Sequence, residues 1–425
     1  MGVALFWGSS PVAGHHLGEI LLKAGADANL LEKEDKSVLY LLARSSAWSS
    51  YTSYHFAEEG AAFARMLIQQ YGAKVNSADS SSLTPLHVGL IAGTNDIVKV
   101  LIELKATPNL ADKGGQTAMH KLVLSDALIV DNTIADMLLR LGWDLDAQDE
   151  LENTPLHYIE DKTKAQWFVS NGATPDVGNQ ANQTALHKVA QNSVFSVGDL
   201  AKILLDGKWS VDAKDKDHRQ PLHMAAWNRG VNRADLVQML LDSQADAEAR
   251  TLDEETPLHR VRMGEVVKVL VDQGNADFEA KAKNGQRPLH RVTDVDAMIQ
   301  LLEAKANLHA VDQDDRTPLH CAAAMSIDKP DARPIVRHLL LSNANHRMLD
   351  KDGRTPLHYA NQEAIVKVLV EYEANVNKPD KDDYTPIMRK ALMTAHTTGR
   401  LAQADVDDAC DVISRLAESK ADLAL

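Results

Sequence analysis

Cysteine is nearly absent. Cys321 and Cys410 are the only two in 425 residues, too few for a disulfide framework, and reduced thiols point to a cytoplasmic or nuclear setting. Aromatic residues make up 5% of the chain. No apolar run approaches the roughly 18–20 residues needed to cross a bilayer, so no membrane insertion is expected. Positive charge is also in short supply. The chain has 45 Lys and Arg against 60 Asp and Glu, a formal net charge of −15, which disfavours nucleic acid and anionic membranes as partners. The N-terminus, Met1-Gly2-Val3-Ala4-Leu5-Phe6-Trp7, lacks the basic stretch and long apolar core of a signal peptide, and Phe6 stands where a myristoylation pattern requires Ser or Thr. There is no glycine-rich phosphate loop, no HExxH and no GxSxG. No enzyme activity and no cofactor are therefore expected.

What the chain does have is repetition. Thr84-Pro85-Leu86-His87 recurs identically from Thr154, Thr256, Thr317 and Thr355, and more loosely from Thr117, Thr184, Gln220, Arg287 and Thr385; a degenerate copy starts at Ser37. The steps between copies run from 30 to 47 residues, the signature of a repeat architecture. Within one unit, Thr84 is suited to cap a helix and Pro85 to open it. Ile97–Ile102 supplies a second apolar helix, and 106–116 a turn-rich hairpin leading to the next copy. Such a unit cannot bury its apolar face alone; stacking on its neighbours does so.

These residues resemble ankyrin repeats, and the resemblance covers roughly residues 17–425. It implies an all-α solenoid of about twelve helix-turn-helix-hairpin units with irregular repeat lengths. The expected organisation is a degenerate N-terminal capping repeat (1–36), a long second repeat with an aromatic insertion (37–83), regular repeats (84–384) and a C-terminal capping repeat (385–425). The resemblance makes the motif histidines structural and implies binding of protein partners rather than catalysis, as a scaffold or adaptor. Two other roles remain open: a structural subunit inside a larger assembly, and a regulatory or effector fragment of a longer protein. Nine of the 17 histidines are motif histidines, and the others recur in register neither with one another nor with Cys, so no metal site is expected. Asp350-Lys351-Asp352-Gly353 has the opening spacing of a calcium loop, but Asn361 stands where its last ligand belongs.

Two stretches carry candidate contacts. The first is the insertion at 45–56, rich in serine, where Trp48, Tyr51, Tyr54 and Phe56 crowd together, a composition suited to contact loops. The second is the groove. In the family the position after the motif His is variable and faces the groove; here it holds Lys121, Lys188, Arg260, Arg291 and Arg389, with Arg262 two residues past Arg260. The repeats from Thr154, Thr256, Arg287 and Thr355 lack about three residues of the first helix. Two adjacent short repeats, from Thr256 and Arg287, should leave a notch beside Trp227 and Met325 in the longer neighbours. Trp and Arg are common binding hot spots, and Arg pairs with carboxylate or phosphate in bidentate fashion. The expected partner is a protein offering an acidic or phosphorylated segment.

Overall fold

The computed structural model describes residues 11–32, 34–45, 54–107, 109–125, 133–192, 197–230, 232–325 and 332–390. All regular elements among them are helices. They group into two compact units. One comprises the described residues through Val189 together with those from 197 to Lys216, and the other the described residues of 190–195 and those from Asp217 on.

The motif builds each unit in the same way. In the Thr256 repeat the backbone N–H of Thr256 donates to His259 Nδ1 at 3.0 Å. Because Nδ1 accepts, the ring proton belongs on Nε2, which lies 3.1 Å from the Gln286 carbonyl of the following repeat. The histidine thus closes a capping box at its own helix and ties that helix to the next repeat. The same pair of bonds recurs at His290, reaching the Arg316 carbonyl, and at His320, reaching that of Arg354. Burial holds these rings neutral, pushing His87, His259 and His290 down to about 4.

Hairpins are joined by single backbone bonds: Lys283 N–H to the Asp253 carbonyl, Gln313 to Asn284, Lys351 to Asp314 and Lys381 to Asp352. Gly285 bends its hairpin with φ +76°, and a Cβ there would sit 2.8 Å from the Gln313 nitrogen. Only glycine permits this approach.

In the second unit the first helices pack in a row: Pro221–Trp227, Pro257–Arg260, Pro288–Arg291, Pro318–Ala323 and Pro356–Tyr359. The second helices Arg233–Asp242, Gly264–Asp272, Val295–Glu303, Ala332–Leu341 and Glu363–Glu371 form the row behind. Val266, Val267, Leu270, Leu301, Ile335 and Leu369 fill the space between, each at 1% exposure or less. In the first unit Trp143 and Trp209 are buried where the second helix turns into the hairpin.

The missing residues shorten first helices as their spacing implies. Those of the Thr154, Thr256, Arg287 and Thr355 repeats have four residues each, against six to eight in the other repeats from Thr84 to Thr317. Pro257–Arg260 is a single 3₁₀ turn ending at Val261 in extended conformation. The wall is lowest where two such repeats adjoin.

Candidate functional site

A pocket of about 570 Å³ opens at that low wall. Trp227, Arg260, Arg262, Arg291 and Met325, five of the residues singled out from sequence, all line it. Trp227 ends the helix Pro221–Trp227 and is 38% exposed. The Arg262 and Arg260 guanidinium carbons lie 5.3 and 5.8 Å from its ring centroid, within the range of cation–π attraction.

Glu255 organises the arginines. Its side chain is 4% exposed, and its two oxygens hold different partners: Oε2 takes Arg260 Nε at 2.6 Å and Oε1 takes Arg291 Nη2 at 2.8 Å. Arg291 Nη1 also donates to Gln286 Oε1 at 3.3 Å. Among the described residues Arg262 has no carboxylate partner. Burial, and then the neighbouring charge of Arg229, lower its pKa from the usual guanidinium value. Arg229 itself pairs with Asp294 at 3.6 Å. Asp294 also caps the helix Val295–Glu303 through the Ala297 N–H.

Why these arginines share one acid follows from a pairing visible in the Thr117, Thr154, Thr355 and Thr385 repeats. An aspartate five residues before the motif Thr accepts hairpin N–H groups with Oδ1. Its Oδ2 then meets the side chain nine residues further on, just after the motif His. Asp112 meets Lys121 at 2.6 Å, Asp149 meets Tyr158 at 2.5 Å, Asp350 meets Tyr359 at 2.5 Å and Asp380 meets Arg389 at 2.6 Å. Burial opposes ionisation of Asp380, but the bonds from Arg389, Tyr384 and Asp382 bring it down to about 2. In the Thr256 and Arg287 repeats the aspartate position holds Thr251 and Ala282. Thr251 Oγ1 still accepts the Glu255 N–H at 3.2 Å, and Asn284 Oδ1 takes that of Gln286 at 3.1 Å, so the hairpins keep their form. Neither residue offers a charge to Arg260 or Arg291. Both turn instead to Glu255, an acid at the position just before the motif Thr.

The other candidates stand apart from this pocket. Lys121 is 8% exposed and bound to Asp112 and Gln116, leaving little of it at the surface. Lys188 is half-buried on the helix Ala185–Gln191 and does not line the pocket. Tyr54 and Phe56 belong to the helix Tyr54–Gln69, while Trp48 and Tyr51 lie outside the described residues. Glu255 is the residue that the sequence reading missed. The absent aspartates at Thr251 and Ala282 were its signal.

Cys321 also lines the pocket, with its thiol pushed up to about 12 by burial. A smaller cavity of about 410 Å³ toward the hairpins shares Arg260 and Arg291. One of about 500 Å³ toward the second helices shares Arg262.

The repeated histidine box, the paired helices and the bonded hairpins settle the family. This is an ankyrin-repeat protein. A profile described as ankyrin repeats (three copies) matches residues 159–251, 291–380 and 324–401. Among curated proteins, the ankyrin-repeat chain is 28% identical over 122 residues to a transient receptor potential cation channel subfamily A member 1 homolog of Caenorhabditis elegans. The match takes in 29% of the chain and 9% of the channel homolog's length. Among solved structures, the ankyrin repeat domain of Bcl-3 aligns with 68% of the chain and 98% of its own, at 21% identity and a TM-score of 0.34. Among the described residues of the ankyrin-repeat chain, no helix is long and apolar enough to cross a membrane.

Proposed function

We propose that the chain is a non-enzymatic adaptor, working in the cytoplasm or nucleus, that captures an acidic segment of a partner protein in the groove of its second unit. One observation carries this reading. In a chain of net charge −15, three guanidiniums and, among the described residues, no carboxylate line the pocket at Trp227. At Lys121 and Arg389 the cation at this position is neutralised by the aspartate of its own hairpin. Here the acids are missing and the positive potential reaches the open groove, where it steers and orients an anionic segment. The buried carboxylate of Glu255 fixes Arg260 and Arg291 in advance, and Trp227 provides the apolar platform on which Arg262 rests. Preorganisation of this kind lowers the entropic cost of binding.

The test is affinity capture with the intact chain and with Trp227→Ala/Arg262→Glu, followed by identification of the retained proteins. A partner with an acidic segment that is retained by the parent and lost by the variant, with unfolding midpoints unchanged, is the expected result. Equal retention by both chains would move recognition away from this groove.

A further inference from the structure

The pocket's charge and its donors specify more than acidity. Arg260, Arg262 and Arg291 bring three positive charges, and among the described residues the only carboxylate bonded to any of them is Glu255. The balance is two positive charges. A single carboxylate would leave one uncompensated; a phosphate monoester, carrying about −1.5 to −2 at neutral pH, matches the surplus. Glu255 is buried against Arg260 and Arg291, so an arriving anion adds to it rather than displacing it.

The free donors tell the same story. Each guanidinium has five N–H groups in a planar fork. Arg260 gives Nε to Glu255, which leaves both of its terminal nitrogens. Arg291 gives one bond from each terminal nitrogen. Arg262 gives none to a carboxylate among the described residues. Three forks can serve the three terminal oxygens of a phosphoryl group, whereas a carboxylate has two oxygens. Trp227 bears on two of the three forks, limiting their freedom before any ligand arrives. The volume of about 570 Å³ admits a phosphorylated side chain with its flanking backbone.

We infer that the groove of the second unit reads a phosphorylated residue in the partner segment, held by Arg260, Arg262 and Arg291 over Trp227. This inference rests on the acidic-segment reading above and names the ligand of that same site. The cavity beyond Arg262 is of mixed charge, lined by Glu265, Asp294 and Asp296 as well as Lys268 and Arg229. Acidity is therefore required at the phosphate and not along the whole segment.

Two probes of similar shape separate charge from acidity: phenyl phosphate and benzoate, titrated into the intact chain at neutral pH. The readout is the arginine side-chain Nε–Hε nuclear magnetic resonance signals, assigned through single Arg→Lys variants. Phenyl phosphate should move the signals of Arg260, Arg262 and Arg291 with half-saturation about tenfold lower than benzoate, and Arg262→Gln should remove that advantage without unfolding the chain. Equal half-saturation for the two probes overturns the phosphate inference and leaves the acidic-segment reading standing. If neither probe moves these signals, both fail.

A second arm identifies the source of the phosphate. Peptides of about 13 residues with a fixed central phosphoserine and random flanks should be retained on the immobilised chain about tenfold better than the matched glutamate set. Inorganic phosphate should compete far less well than the phosphoserine peptides. Equal competition by inorganic phosphate makes this a site for the free ion and overturns the inference.

Discussion

The Thr355 and Thr385 repeats and the Thr256 and Arg287 repeats use the same motif and differ in one balance. In the first pair the polar side chain four residues after the motif Thr has its own hairpin aspartate: Tyr359 has Asp350, and Arg389 has Asp380. In the second pair the aspartates are replaced by Thr251 and Ala282, and two arginines share Glu255. The folds of the hairpins are alike, because Thr251 and Asn284 take over the N–H bonds. Stability and charge are thus separable in this architecture. A hairpin needs an acceptor, but the acceptor need not be an anion. Where it is neutral, the cation beside it is left to face the groove.

The largest expected effect is common to both regions and sets the scale for the rest. Burial holds His87, His259 and His290 down to about 4 in the fold, against about 6.5 in the unfolded chain. As pH falls below about 6.5 the unfolded state takes up protons that the folded state refuses. The stability these rings contribute is full above that pH and drains away between it and about 4, costing roughly 2 kcal/mol for each ring by pH 5. Denaturant midpoints should fall steeply between pH 7 and pH 5; equal midpoints would contradict buried neutral rings.

The next effect separates the regions. Asp380→Ala strips Arg389 and two hairpin N–H groups of their acceptor and should lower stability by about 2 kcal/mol. Thr251→Ala removes one neutral acceptor and should lower it by about 1 kcal/mol. The reverse order in denaturant melts would break the comparison. Smallest is Arg262→Ala. It removes a half-buried guanidinium with no acid partner among the described residues, so stability should stay within about 0.5 kcal/mol while binding of the acidic segment is lost.

Much of this was legible in the sequence, for local reasons. Thr-Pro-Leu-His encodes a cap, a helix start and a cross-repeat bond within four residues, so the fold can be read from the recurrence alone. Register also gave Trp227, Arg260, Arg262, Arg291 and Met325 as groove residues, because helix length and position within a unit decide which way they face. Register could not say which cations are already spent. Lys121 has the same position as Arg260, yet it is buried against Asp112. Telling the two apart requires comparing each side chain with the residue nine before it, a pairing that spans the hairpin. Asp294, three residues from Arg291, and Glu265, as near to Arg260 in sequence as Glu255 is, are not the partners of these arginines; Glu255 is. The aromatic insertion at 45–56 falls largely outside the described residues.

The most direct measurement restores the missing acid. Aspartate at the equivalent position is equally buried in the hairpins of Asp312, Asp350 and Asp380, at 5–6% exposure against 5% for Ala282. Ala282→Asp should therefore be accommodated, accept the Gln286 N–H and pair with Arg291, leaving the melting temperature unchanged or higher. The half-saturation of phenyl phosphate at the arginine signals should rise about tenfold as the surplus charge is cancelled. An unchanged half-saturation in a folded Ala282→Asp chain would contradict the claim that the missing hairpin acids make the site.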